Sequence, residues 1–556
     1  MFKKVFRQAF SLVMVCLLCV SMVTIGVSAT PETQPFTTSP MIAAGGSHSL
    51  ALRSDGTVWA WGEGLGSTPT PVDSLENIIS ISAGGLHSLA LRVDGTVWAW
   101  GSNESGQLGD GTTNQHDTPI PINNLNNIIA VSAGGYHSLA LCANGSVWSW
   151  GSNTHGQLGD GMTYGRSTPV QVHGGEAGGE YLQDITYISA GYEHSLALRE
   201  NRTVLAWGAG GFGQLGNGQT GNHITPVQVI GGGGGGTFLH SITSVSAGEV
   251  LSFALRDDGT VLVWGWRVSE ALSGIYIAPV RLRNEAGAFF QNVTSVSAGA
   301  VHALALRNDG TVWIWGMVRM GTPAGGFTVY ESPRQVHGGD TSDTFLQNIT
   351  SISAGEFYSI VMRTDGILLE CGENRTSNLS SFRTSPIYVT SGTGVDELFN
   401  VNINPVAVNS GTGSGSLAAG TTVTITANTP PTGQRFVRWN ISPAVTFTSG
   451  SATTATASFI MPAQAVTATA VFEDIPVTGV SIPGTATRTL TAGQTLQLQA
   501  NVTPANVANR AVNWSSNNPQ IATVNTPGLS TQSRPARQPS PQQRLTAVFR
   551  LRLKSR

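Results

Sequence analysis

The sequence predicts an all-β chain, a seven-bladed β-propeller followed by two small C-terminal β modules. Three observations predict it. One unit recurs seven times. Each unit holds short β-rich runs separated by Gly-containing turns. Charged residues make up only 11% of 556 positions while Gly reaches 68, a composition of folded, strand-rich chains and not of disordered ones.

The unit is clearest at Ser82-Ala83-Gly84-Gly85-Leu86-His87-Ser88-Leu89-Ala90-Leu91-Arg92-Val93-Asp94-Gly95-Thr96-Val97-Trp98-Ala99-Trp100-Gly101. Its Ala-Gly pair returns at Ala44, Ala83, Ala133, Ala190, Ala247, Ala298 and Ala354, at intervals of 39, 50, 57, 57, 51 and 56 residues. A Pro-x-x-apolar segment follows each copy, from Pro69 to Pro386. His87 to Arg92 and Thr96 to Gly101 read as strands flanking Asp94-Gly95, where Gly supplies the positive φ of a tight hairpin. Ile78 to Ser82 and Pro119 to Ile122 are two more extended candidates, so each copy carries the four strands of one blade. A blade cannot bury both faces alone, so seven copies imply a closed ring.

These motifs resemble the regulator-of-chromosome-condensation repeat family. The carriers are the Ala-Gly-x-x-His-Ser-Leu-Ala-Leu-Arg-x-Asp-Gly-Thr-Val-Trp-Ala-Trp-Gly core and the loop Gly106-Gln107-Leu108-Gly109-Asp110-Gly111, which returns at 156–161 and 213–218. The resemblance implies the propeller over residues 41–390.

The ends carry their own signals. Lys3, Lys4 and Arg7 precede an uncharged apolar run, and Val27-Ser28-Ala29 offers a small-x-small cleavage site, so residues 1–29 read as a secretory signal peptide. A retained membrane anchor is the other reading of that run. Leu18 before Cys19 disfavours a lipoprotein signal. Residues 30–40 read as a linker. After cleavage no transmembrane segment is expected. Residues 396–473 resemble a divergent internalin B-repeat, on Gly420-Thr421-Thr422-Val423-Thr424-Ile425, Arg435-Phe436-Val437-Arg438-Trp439 and Phe459-Ile460-Met461-Pro462-Ala463. Their alternation predicts short antiparallel strands. Residues 474–528 resemble an incomplete group 2 bacterial Ig-like domain, on Val502-Thr503-Pro504-Ala505-Asn506 and Val512-Asn513-Trp514-Ser515-Ser516. Residues 529–556, rich in Arg, Gln and Pro, read as a basic tail, disordered or frameshifted, that leaves the sandwich without its last strands.

The formal charge of −3 hides an asymmetry. Removing the three basic residues of the signal leaves 26 against 32 acids, and removing the seven of the tail leaves 19 against 32. An acidic body argues against nucleic acid as a partner.

Candidate chemistry dissolves into the repeat. His48, His87, His137, His194 and His302 share one slot, filled by Leu251 and Tyr358 in the other copies. Equivalent positions on different blades cannot converge on one ion, so these His read as structural and no metal is expected. Trp98, Trp100, Trp148 and Trp150 read as packing between blades. Asp110 and Asp160 lack the spacing of a calcium loop and read as turn residues. Cys142 and Cys371 replace an Arg and a Trp of the repeat and form no disulfide framework. No catalytic residue, cofactor or enzymatic activity is expected.

Function should lie where the copies differ. Blades 2, 3 and 4 keep the Gly-Gln-Leu-Gly loop and the others have lost it. Tyr164, Arg166, Trp266, Arg267, Arg319, Met320 and Tyr330 are non-repeated loop residues of the kinds that anchor interfaces. The expected function is that of a secreted or cell-surface protein-binding or adhesion scaffold, monomeric, with the propeller as platform. The alternatives are an inhibitor of an extracellular enzyme and, by the family's eukaryotic namesake, guanine-nucleotide exchange.

Overall fold

The computed structural model describes residues 36–556 except 232–237, 268–273, 320–326, 339–344, 374–381, 392–397, 463, 484–487, 491–494, 508–511, 517–522, 525–528, 532–544, 548 and 554–556. The expected signal segment and Met320 therefore lie outside the described residues.

Among the described residues, seven four-stranded antiparallel sheets follow one another from Met41 to Tyr388, each a meander in chain order. Blade 2 is representative, with strands Ile78–Ala83, His87–Arg92, Val97–Gly101 and His116–Pro121. The strands form because β-branched and aromatic residues alternate with small ones. The hairpin between the second and third strands closes at Gly95, whose φ of +81° suits glycine. Two layers of apolar side chains cover every second strand: Leu89 and Leu91 on one face and Ala90 on the other are all fully buried. The core is divided among the joints between blades, and each cluster joins two neighbouring sheets.

The Ala-Gly turns crowd around the axis. A Cβ on Gly45 would meet the carbonyl oxygen of Gly84 closer than 3.0 Å, and the clash passes from Gly84 to Gly134, Gly191, Gly248, Gly299 and Gly355. Gly355 in turn would meet Gly45, so the cycle closes on itself. Only glycine permits this approach of backbones.

Closure between blade 7 and blade 1 is non-covalent. Ile42, Ala51 and Trp61 of blade 1 share one buried cluster with Tyr358, Ile360, Phe399 and Val401. Phe399 is the seventh member of a series that otherwise reads Leu75, Leu125, Leu182, Leu239, Phe290 and Leu346, all buried. The segment beyond it returns to blade 1: Ser54 N–H donates to the Val401 carbonyl at 2.9 Å, and Ser54 Oγ donates to the Ile403 carbonyl. The Arg53 guanidinium stacks on Trp59 and on Phe399, 4.0 and 4.4 Å from the ring centroids.

The residues after 402 form two further four-stranded sheets around Val423, Ile425, Trp439, Phe459 and Val466. One pairing departs from the antiparallel expectation. Ile403–Asn409 runs parallel to Val466–Asp474, because the chain visits the second sheet between them. The basic tail also departs from expectation. Leu529–Thr531, Leu545–Ala547 and Phe549–Leu553 pair with Thr495–Gln497, Arg488–Leu490 and Val512–Ser516. In sequence, Phe549, Leu551 and Leu553 alternate with Arg550 and Arg552, the period of a strand.

Candidate interaction clefts between blades 5, 6 and 7

The joints between blades are not equivalent, and their differences build the candidate site. At the joint of blades 2 and 3, His87 Nε2 lies 2.9 Å from Ser138 Oγ, and Ser138 Oγ donates to the main-chain carbonyl of Gln107 at 2.9 Å. Trp150 Nε1 donates to that same carbonyl at 2.8 Å. The serine spends its proton on Gln107, so His87 must be the donor and holds its proton on Nε2. Its Nδ1 is buried without a partner, as that tautomer allows. The arrangement repeats with His137, Ser195, Gln157 and Trp207, and with His194, Ser252, Gln214 and Trp264.

The Gly-Gln-Leu-Gly loop is thus a plug. It folds back into its joint, buries Leu108, Leu158 and Leu215 completely, and offers a carbonyl to two donors of the next blade. Burial holds His87, His137 and His194 down at about 3, and His48 and His302 at about 4, so all five stay neutral. They are spread around the ring, each on its own serine, and among the described residues no group of three metal-ligating side chains forms. Trp100 and Trp150 are buried between blades, while Trp98 and Trp148 pack at the margins of the same clusters. Asp110 accepts from Asn103 Nδ2 and from the Thr112 N–H within its own turn.

Blade 7 has no plug, yet its joint with blade 1 is sealed. Glu370 stands in the Ala slot of its strand, and its carboxylate accepts from Trp61 Nε1 at 3.1 Å and from Ser49 Oγ at 3.4 Å. Tyr358, in the His slot, donates to the His48 carbonyl at 2.6 Å.

Among the described residues, the joints of blades 5–6 and 6–7 have neither device. At 5–6 the His slot holds Leu251 and the facing Ser slot holds Ala303, so the relay is missing as a pair. Trp315 remains, and among the described residues no plug reaches it. A cleft of about 420 Å3 opens there, lined by Leu251, Val263, Trp266, Tyr276, Trp315 and Tyr330 among others. At 6–7, Cys371 stands in the Trp slot, and a cleft of about 380 Å3 is lined by His302, Met317, Tyr330, Phe345, Ser359 and Cys371. Burial first, and then Glu370, pushes the Cys371 thiol up to about 12, so it is no nucleophile at neutral pH. Tyr330 and Glu285 line both clefts, which makes them neighbours on one face.

The expected contact residues divide accordingly. Trp266 and Tyr330 come together at the 5–6 cleft. They sit on strands and not in loops, because the chain that forms a plug in blades 2–4 here prolongs the hairpins Val261–Arg267 with Gly274–Arg281 and Val312–Arg319 with Phe327–Gln335. Arg267 and Arg319 end two of these strands, and their side chains lie outside the described residues. Tyr164 and Arg166 belong to blade 3. Tyr164 is 69% exposed, and Arg166 opens the strand Arg166–Gln171 and holds Asp160 of its own loop at 2.9 Å. The sequence reading missed the cleft walls Leu251 and Trp315, which occupy repeat slots, and Tyr276, which stands opposite Gly265 as Tyr330 stands opposite Gly316.

The axis itself carries a shallower depression of about 400 Å3, where the Ala-Gly turns meet Tyr136, Tyr192, Glu63, Glu249 and Glu356. Among the described residues, no helix is long and apolar enough to cross a membrane.

The family model for the RCC1-like domain matches residues 24–275, and that for the regulator of chromosome condensation (RCC1) repeat matches 293–317. The divergent InlB B-repeat domain matches 399–476 and the group 2 bacterial Ig-like domain 476–533. Among curated proteins, the human probable E3 ubiquitin-protein ligase HERC6 is 35% identical over 206 residues, 35% of this chain and 19% of that protein. The mitochondrial RCC1 domain-containing protein RUG3 of Arabidopsis thaliana is 33% identical over 211 residues, 35% of this chain and 44% of its own. The chain thus spans less than half the length of either relative. The crystal structure of yeast RCC1 (Prp20) bound to Kap60 aligns at 22% identity and a TM-score of 0.49, over 67% of this chain and 92% of that one. The chain therefore carries, in order, an RCC1-like propeller domain, a divergent InlB B-repeat and a group 2 bacterial Ig-like domain.

Proposed function

We propose that this protein is a secreted or cell-surface binding scaffold that recognises a protein partner through the face of blades 5–7, with the C-terminal β modules as spacers. One observation carries the reading: two adjacent joints without a plug, 5–6 and 6–7, hold clefts whose walls include aromatic and aliphatic side chains. Concave surface that combines aromatic and aliphatic side chains with charged groups, here Arg281, Arg283 and Glu331, is what protein anchors fill. The B-repeat and bacterial Ig-like modules support an extracellular setting. The protein acts by binding and not by catalysis, because its buried polar residues are consumed in the hydrogen bonds between blades.

The test places a photo-crosslinking amino acid at position 330 of the full chain, with position 164 as control, and exposes both to the cells and medium of the producing culture. A single protein joined at 330 but not at 164, and lost with Trp266→Ser, supports the reading. If that protein is a soluble enzyme, inhibition is its consequence; if it is a surface protein, adhesion is. Equal or absent labelling at both positions would sink the proposal.

A further inference from the structure

Three sister joints show what fills the space that is open at 5–6. In each, a turn with small flanking residues buries one leucine and presents a main-chain carbonyl to a Trp indole N–H, at 2.8 to 2.9 Å. Trp315 occupies the same slot in blade 6, pairing with Phe253 and Phe290 at 5.6 and 6.4 Å between ring centroids. It is only 5% exposed, it lines the cleft, and among the described residues no acceptor meets its indole nitrogen. Its indole N–H faces the cleft, and among the described residues no main-chain carbonyl takes the place that the plug carbonyl holds in the sister joints. Leu251 and Ala303 remove the other polar demands that a plug would satisfy in blades 2–4. What remains at this end of the cleft is the Trp315 donor beside an apolar wall of Leu251, Val263 and Tyr330, with Arg281, Arg283 and Glu331 also lining the cleft.

We propose that the cleft between blades 5 and 6 takes a peptide turn of a partner protein that copies the chain's own Gly-Gln-Leu-Gly plug. The turn seats one leucine-like side chain on the apolar wall and accepts the Trp315 Nε1–H on a main-chain carbonyl. This rests on the assignment of the blade 5–7 face as the recognition surface and adds the chemistry of what enters it. Recognition through a backbone carbonyl and one apolar side chain makes the cleft selective for turn shape.

The probe is a cyclic peptide containing Gly-Gln-Leu-Gly-Asp-Gly, added at millimolar concentration to the full chain labelled with 15N-tryptophan. The Trp315 indole resonance is identified by its absence in Trp315→Phe. It should move downfield saturably while those of Trp150, Trp207 and Trp264 stay in place. Affinity, read in both proteins from the peptide's own resonances, should fall roughly tenfold in Trp315→Phe, the effect of one hydrogen bond. Replacing the peptide's leucine by alanine should abolish the shift. Tyr330→Ala, which leaves the indole in place, serves if Trp315→Phe fails to fold, and should also weaken the shift. No shift, or a shift indifferent to the leucine, would overturn the proposal. If the protein crosslinked at position 330 still binds while the peptide neither shifts Trp315 nor competes, the plug-like ligand is wrong and the recognition face stands. If both fail, both fall.

Discussion

At the scale of single residues, the joints behave as small polar circuits whose members stand or fall together. His87 donates to Ser138, which donates to Gln107, so Ser138→Ala strands a buried imidazole N–H and weakens the hold on the carbonyl. The expected cost is about 1–3 kcal/mol. The protein itself shows the remedy at blades 5–6, where Leu251 faces Ala303. The double variant His87→Leu with Ser138→Ala should therefore be more stable than the sum of its single variants predicts. Urea unfolding of the four proteins in a double-mutant cycle measures this, and strict additivity would contradict the relay. The same histidines set an acid limit. Their folded values of about 3 to 4 lie below the ordinary 6.5, so below pH 6.5 the unfolded chain binds more protons than the folded one. Their contribution is complete above pH 6.5 and is lost as the pH falls toward 3. Melting temperature followed across that window should drop less steeply in the double variant than in the wild type.

At the scale of elements, the repeat was legible because the strands repeat in residue identity. His87–Arg92 and its six counterparts appear where the pattern puts them. The plug was visible as a motif and opaque as a function, since its working group is a main-chain carbonyl that no residue type marks. The pairing of Leu251 with Ala303 was readable in principle, from two departures in neighbouring copies. Trp266 and Tyr330 stood out because they break the repeat, whereas Trp315 matters and does not break it. The closing element was hidden for the opposite reason. Phe399 continues a leucine series, but it lies past the last blade and no eighth strand follows to reveal its register. Its ring joins the cluster of blade 1 and accepts the Arg53 guanidinium on its face. Phe399→Ala should cost about 3–5 kcal/mol, read as a lowered urea midpoint for the propeller. An unchanged midpoint would mean that the ring closes without this segment.

At the scale of the whole molecule, seven units of one design are joined in unequal ways. The joints of blades 2–3, 3–4 and 4–5 carry plugs, that of blades 1–2 pairs His48 with Ser88 without a plug, that of blades 7–1 carries the Glu370 carboxylate, and those of blades 5–6 and 6–7 hold clefts on one face. Rigidity comes from the sealed joints and from the cycle of glycines at the axis, and recognition is assigned to the open ones. A regular scaffold thereby acquires an irregular surface without any change in its core strands. Hydrogen exchange of the tryptophan indoles in the free, full-length protein tests this division most directly, because each joint reports through its own ring. The account predicts slow exchange at Trp150, Trp207 and Trp264, whose N–H groups are held by plug carbonyls, and fast exchange at Trp315. Protection of Trp315 equal to the other three would show that the joint of blades 5 and 6 is sealed, and would contradict the account.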